Sequence, residues 1–144
     1  MENNNLTSVY EIYRNAKTAL LAIESVLPTV DNADLYKEIT SQKQGYEEIL
    51  ADITLYMKDN NFTPVEVNAF KKMGMNMGIK MNTAFNNSTS HVAEIMIKGT
   101  VAGISELVRI LNDANNKFDE KIISLADKLK RHEENCEDSL KKFL

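Results

Sequence analysis

Between Leu35 and Tyr56 an apolar side chain returns every three or four residues, through Ile39, Tyr46, Ile49 and Ile53, and one polar residue, Gln42, stands on the same stripe. That spacing follows the 3.6-residue turn of an α-helix and does not suit the two-residue alternation of a strand. The rhythm recurs in other long segments, and only 2 prolines interrupt it. A chain of 144 residues suffices for one domain whose core needs no disulfide or metal. The expectation is a single all-α domain spanning residues 1–144.

Local signals divide the chain into five helical segments. Ser8 and Glu11 have capping-box spacing, so the first helix is expected to start at Ser8, bury Val9, Ile12, Ala16, Leu20, Ile23 and Leu27, and stop before Pro28. Asp31 or Asn32 caps a second helix, which Asp59, Asn60 and Asn61 end. Thr63, Pro64 and Glu66 open a third segment reaching about Phe85, with Gly74 and Gly78 inside it. Each interior glycine costs about 1 kcal/mol against alanine, which predicts a kink or a close helix contact there. After a polar loop from Asn86 to Ser90, a fourth helix runs to about Leu111, with a core stripe of Ala93, Ile97, Thr100, Ile104, Leu107 and Leu111. Val92, Met96, Gly99 and Gly103 add a second strip beside it. A turn over Asn112–Asn116 leads to a fifth helix with the stripe Phe118, Ile122, Leu125, Leu129, His132, Cys136, Leu140 and Phe143.

The short connections make two helical hairpins, first with second and fourth with fifth. The third segment is long enough to carry the chain back along the bundle as a crossover, so the second and fourth helices should run parallel. Two hairpins joined by a long crossover describe a ferritin-like four-helix bundle, here with an extra crossover helix between the second and third bundle helices. The segments GIKMNT (Gly78 to Thr83) and SHVAEIMIKGTVAGI (Ser90 to Ile104) resemble those of an uncharacterised bacterial family of ferritin-like four-helix-bundle proteins. The resemblance implies that fold and no activity.

In this arrangement Gln42, Thr100 and His132 all lie ~15–17 Å from one end of the bundle and point inward, as one buried polar layer. Di-iron chemistry would need a Glu-x-x-His on each of two helices, but Ser88 precedes His91 by three residues and Leu129 precedes His132. No inward stripe position carries an acid. Glu133, Glu134, Glu137 and Asp138, following Lys128, Lys130 and Arg131, read as a solvated mixed face. His132 and Cys136, four residues apart, are a possible half of a soft metal site, and Met73, Met77 and Met81 invite copper(I) or haem. Ordinary core packing accounts for both groups. Gly74 with Gly78, and Gly99 with Gly103, allow close helix approach; Met96, Gly99 and Gly103 line either an internal contact or a homodimer face.

A net charge of -4 with interleaved signs argues against nucleic-acid binding. The start, MENNNL, lacks the features of an export signal, no apolar run is long enough to span a bilayer, and the lone Cys136 suits a reducing compartment. No nucleophile with a paired base and no phosphate-cradling loop stands out. The sequence points to a cytoplasmic, homodimeric, non-catalytic bundle without membrane contact or cofactor, acting as a structural or protein-interaction module. The alternative is a metal- or haem-binding bundle built on His132, Cys136 and the Met-rich crossover.

Overall fold

The side-chain oxygen of Asn32 accepts a hydrogen bond from the backbone N–H of Leu35 at 2.9 Å, satisfying a donor that the start of a helix leaves unpaired. From this cap runs α2, Ala33–Asp59, and its whole expected stripe, Gln42 included, is buried. The helix closes at Asn61, whose φ of 60° is the left-handed conformation that asparagine tolerates better than most residues. Phe62 N–H then reaches back to the Met57 carbonyl at 2.7 Å.

The computed structural model describes residues 2–63, 88–114 and 119–144. Besides α2 these hold α1, Glu2–Val26, α3, Thr89–Ala114, and α4, Glu120–Lys141, with a 3-10 turn at Leu27–Thr29. Among the described residues there is no strand. The proposed third segment, with Gly74, Gly78, Met73, Met77 and Met81, lies outside the described residues, as do positions 115–118.

Two expected boundaries move. α1 begins at Glu2, so Ser8 is a buried residue within the helix and not its cap. No glycine or proline separates Glu2 from Ser8, so nothing forces the helix to wait for the capping box. Likewise α3 continues past Leu111 to Ala114. Ser88 starts it, accepting from the His91 N–H at 3.2 Å. Asp119 caps α4 through the Lys121 N–H and also accepts from the Tyr56 hydroxyl at 3.0 Å, tying the end of α2 to the start of α4.

Paired residues give the helix directions. Gln42 meets His132, Asp52 meets Lys128 and Tyr56 meets Asp119, so α2 and α4 are antiparallel. Asn15 meets Gly103, and Glu11 meets Arg109, so α1 and α3 are antiparallel. The short turn over Leu27–Asn32 reverses the chain between α1 and α2, which pack on each other. α2 and α3 therefore point the same way. All four helices contribute to one core, including Ile12 and Ile23 of α1, Ile39 and Ile53 of α2, Leu107 of α3, and Leu129 and Leu140 of α4.

The helices differ in how fully they are buried. Expected core positions Ile97, Thr100 and Ile104 of α3 are only half-buried, and no residue between Ala93 and Leu107 is fully buried. The middle of α3 thus faces a gap. By contrast, α2 and α4 are close where Gly45 faces His132: a Cβ on Gly45 would stand 2.1 Å from His132 Cε1. A Cβ on Gly99 would meet nothing within 4 Å.

These two glycines should respond oppositely to the same change. Gly45→Ala is expected to lower stability by about 1–3 kcal/mol, because overpacking against a ring outweighs the gain in helix propensity. Gly99→Ala should raise it by about 0.5–1 kcal/mol. Thermal melts followed by circular dichroism read both, and His132→Ala should rescue the Gly45→Ala variant.

Candidate functional site

The gap beside α3 is a cavity of about 390 Å³ among the described residues. Small side chains on the facing helices hold it open: Thr18, Ala19 and Ala22 on α1, and Gly99, Thr100, Ala102 and Gly103 on α3. Gln42 and Tyr46 of α2 and Glu133 of α4 complete the lining, with Arg14 and Glu106 among its charged residues.

Glu133 is the unexpected member. It is 1% exposed, so its assignment to a solvated face is corrected, as is the statement that no inward position carries an acid. Positions 132 and 133 both follow Leu129 and precede Cys136 and Leu140 at helical spacing, and the structure buries the acid more deeply than the histidine. Gly103 makes this possible. A Cβ there would lie 2.7 Å from Glu133 Oε2 and 3.0 Å from Oε1, so the carboxylate occupies the space that glycine leaves. Gly103 therefore packs inside the subunit, and Met96, Gly99 and Gly103 line the cavity.

The polar groups around Glu133 are only partly satisfied. Tyr46 donates its hydroxyl to Glu133 Oε2 at 3.0 Å, while Glu133 Oε1 is buried without a hydrogen-bond partner. Asn15, 7% exposed, donates its amide N–H to the Gly103 carbonyl at 3.1 Å, which leaves its Oδ1 buried and unpartnered. Glu106 Oε1 is also unpartnered by hydrogen bonding, and Arg14 Nη2 lies 3.9 Å from it. Burial pushes the Glu133 carboxyl up to about 8; the Tyr46 hydrogen bond opposes that shift and the nearby Glu106 charge adds to it. Burial also raises Glu106, with opposing contributions from Arg14 and Arg109. Tyr46 is raised well above the ordinary phenol range, by burial first and then by Glu133.

His132 sits on the α2 side of α4. Its Nε2–H donates to the Gln42 carbonyl at 3.1 Å, and its ring stands edge-on to Tyr46 with centroids 4.5 Å apart. The expected layer thus forms in part: His132 meets the Gln42 backbone, whereas the Gln42 side chain donates to Glu38 at 2.9 Å. Thr100 bonds its own helix at the Met96 carbonyl, 2.8 Å away, and lines the cavity. Cys136 Sγ lies 3.5 Å from His132 Nε2. This pair is poorly set up as nucleophile and base, because burial pushes the thiol up to about 12 and lowers the imidazole, keeping both neutral. As a metal pair it is also constrained, since the Nε2 that faces the sulfur carries the proton given to Gln42. Among the described residues no group of three or more His, Cys, Asp or Glu side chains is placed to hold one metal ion.

Compared with known proteins, the chain matches no family model, no curated protein and no solved structure.

The buried acid gives stability a pH dependence of definite sign. The Glu133 pKa rises from 4.5 to about 8 on folding, so between those values the folded chain keeps a proton that the unfolded chain has released. This contribution to stability is greatest below the window and is lost as pH rises through it. The melting temperature should fall between pH 5.5 and 8.5, and Glu133→Gln should flatten that slope and raise the melting temperature at pH 8.5. Equal slopes in the two proteins would count against the buried acid.

Proposed function

We propose that this chain is a non-catalytic helical bundle that binds a small molecule in the cavity between α1 and α3. The observation that carries the proposal is Glu133: a carboxylate oxygen at 1% residue exposure, without a partner, at the wall of an interhelical cavity. Burying an ionisable group this way costs several kcal/mol. A core selected for stability alone would place an apolar or amide side chain there. Convergent polar groups on an otherwise apolar cavity are the usual makeup of a ligand site.

The proposal includes a ferritin-like arrangement, supported by the two antiparallel pairs and the shared direction of α2 and α3. It also keeps the likeness to the uncharacterised bacterial family carried by Ser90 to Ile104 and a cytoplasmic setting. No helix among the described residues is long and apolar enough to cross a membrane. The homodimer stays in the proposal with its face moved from Met96, Gly99 and Gly103, which line the cavity, to the outer side of α3, where Val101 is 42% and Val108 40% exposed. A second reading, metal binding at His132 and Cys136, draws on their 3.5 Å approach. It requires His132 to give up its proton and its bond to Gln42.

The cavity reading is tested with benzyl alcohol, a neutral probe with an apolar ring. Its addition should shift the Met96 methyl resonance of methyl-labelled protein, and Ala22→Phe, which fills the space, should abolish the shift. If neither benzyl alcohol nor its amine analogue, benzylamine, moves the methyl group, the site is refuted. Metal analysis of protein purified without chelators decides the second reading: a stoichiometric transition metal lost in His132→Ala would favour it.

A further inference from the structure

The unpartnered buried atoms at the cavity share one chemistry. With Glu133 ionised, Asn15 Oδ1, Glu106 Oε1 and Glu133 Oε1 are all acceptors, and among the described residues no buried side-chain nitrogen at the cavity is left unpaired. The Asn15 orientation is fixed independently, because its amide nitrogen donates to the Gly103 carbonyl at 3.1 Å and a carbonyl can only accept. Two of the three acceptors belong to carboxyl groups. Arg14, the one basic residue among the described lining residues, has a side chain 58% exposed, and at 3.9 Å from Glu106 Oε1 it is too distant for a charge-assisted hydrogen bond.

We infer that the cavity takes an organic cation: a primary ammonium group directed at Glu133, Glu106 and Asn15, carried on an apolar body that lies along α1 and α3. This rests on the reading of the cavity as a ligand site. An ammonium supplies three N–H donors and accepts none, which complements three acceptors. A carboxylate or phosphate ligand would find no buried cation among the described lining residues, and it would lie beside the Glu106 carboxyl and, above about pH 8, beside an ionised Glu133. A bare metal ion would satisfy the oxygens but leave most of a 390 Å³ space empty beside Ala19, Ala22, Ile23 and Met96. Those walls suit a hydrocarbon.

The inference carries a proton-linkage consequence. Titratable or charged groups acting on Glu133 come from every side: Tyr46 of α2, Glu106 of α3 with Arg14 of α1 beside it, and Cys136 on its own helix. Because burial holds the Glu133 proton to about pH 8, a cation that pairs with the ionised carboxylate at pH 7 displaces that proton. Binding of an ammonium therefore releases a proton, and binding of an isosteric neutral molecule does not.

The test compares benzylamine with benzyl alcohol on the full chain by isothermal titration calorimetry. It is run at pH 7 in two buffers of different ionisation enthalpy, with the Met96 methyl shift as an independent report of occupancy. Benzylamine should bind at least tenfold more tightly, with release approaching one proton, and in Glu133→Gln the ratio of the two affinities should fall toward one. Glu106→Gln should reduce the ratio in the same direction. Should the alcohol bind as tightly as the amine, the cation inference fails while the cavity reading stands. If neither ligand moves the Met96 methyl, both fail. Stabilisation by millimolar calcium or manganese that depends on Glu133 and excludes benzylamine would overturn the ammonium in favour of a metal ion.

Discussion

A carboxyl group enclosed among four helices has to be accommodated by its neighbours, and the centre of this bundle is arranged around Glu133. Tyr46 of α2 gives it a hydroxyl, and Gly103 of α3 withdraws its own side chain to leave room for both oxygens. Asn15 of α1 then ties itself to the Gly103 backbone. One acidic residue on α4 thereby sets what each of the other three helices presents at that level. Its second oxygen is buried without a hydrogen-bond partner, in a residue that lines the cavity.

Consecutive residues on a helix point about 100° apart, and α4 uses this to divide its labour. His132 turns toward α2, where Gly45 admits its ring and the Gln42 carbonyl fixes its proton. Glu133 turns toward the gap between α1 and α3. Two glycines on different helices serve these two neighbours, each by omitting a side chain where a polar group must pass. The result is a tightly packed seam on one side of α4 and an open, acceptor-lined space on the other. Burial keeps the Cys136 thiol and the imidazole on the seam neutral, which favours a packing role there, while the carboxyl groups of Glu133 and Glu106 line the open side.

Much of the scaffold is legible in the sequence because it depends on local signals. The Asn32 cap, the α2 stripe and the halt at Asn61 each follow from residues within a few positions of one another. The parallel course of α2 and α3 follows from hairpin logic once the long intervening segment is noticed. The start of α1 was misplaced because a capping box marks where a helix can begin and does not prevent an earlier start. The site was harder to see. Between Leu129 and Cys136 the apolar rhythm fits His132 and Glu133 equally well; the general rule that acids stay solvated selects His132 alone, whereas the structure turns both inward. The available signal was Gly103, whose missing side chain makes sense only against something bulky and polar across the interface, but that partner is 30 residues away and on another helix. Gly99 and Gly103 of α3 similarly suggest close helix contact, which the structure gives at Gly103 against Glu133, whereas Gly99 lines the cavity.

The claim on which this account rests is that the Glu133 carboxyl is enclosed and protonated in the neutral folded protein. Titration of the Glu133 carboxyl carbon in glutamate-labelled protein, assigned by comparison with Glu133→Gln, measures it directly. A midpoint near 8 is predicted. A midpoint in the ordinary carboxylate range, near 4.5, would place the group in water and contradict the account.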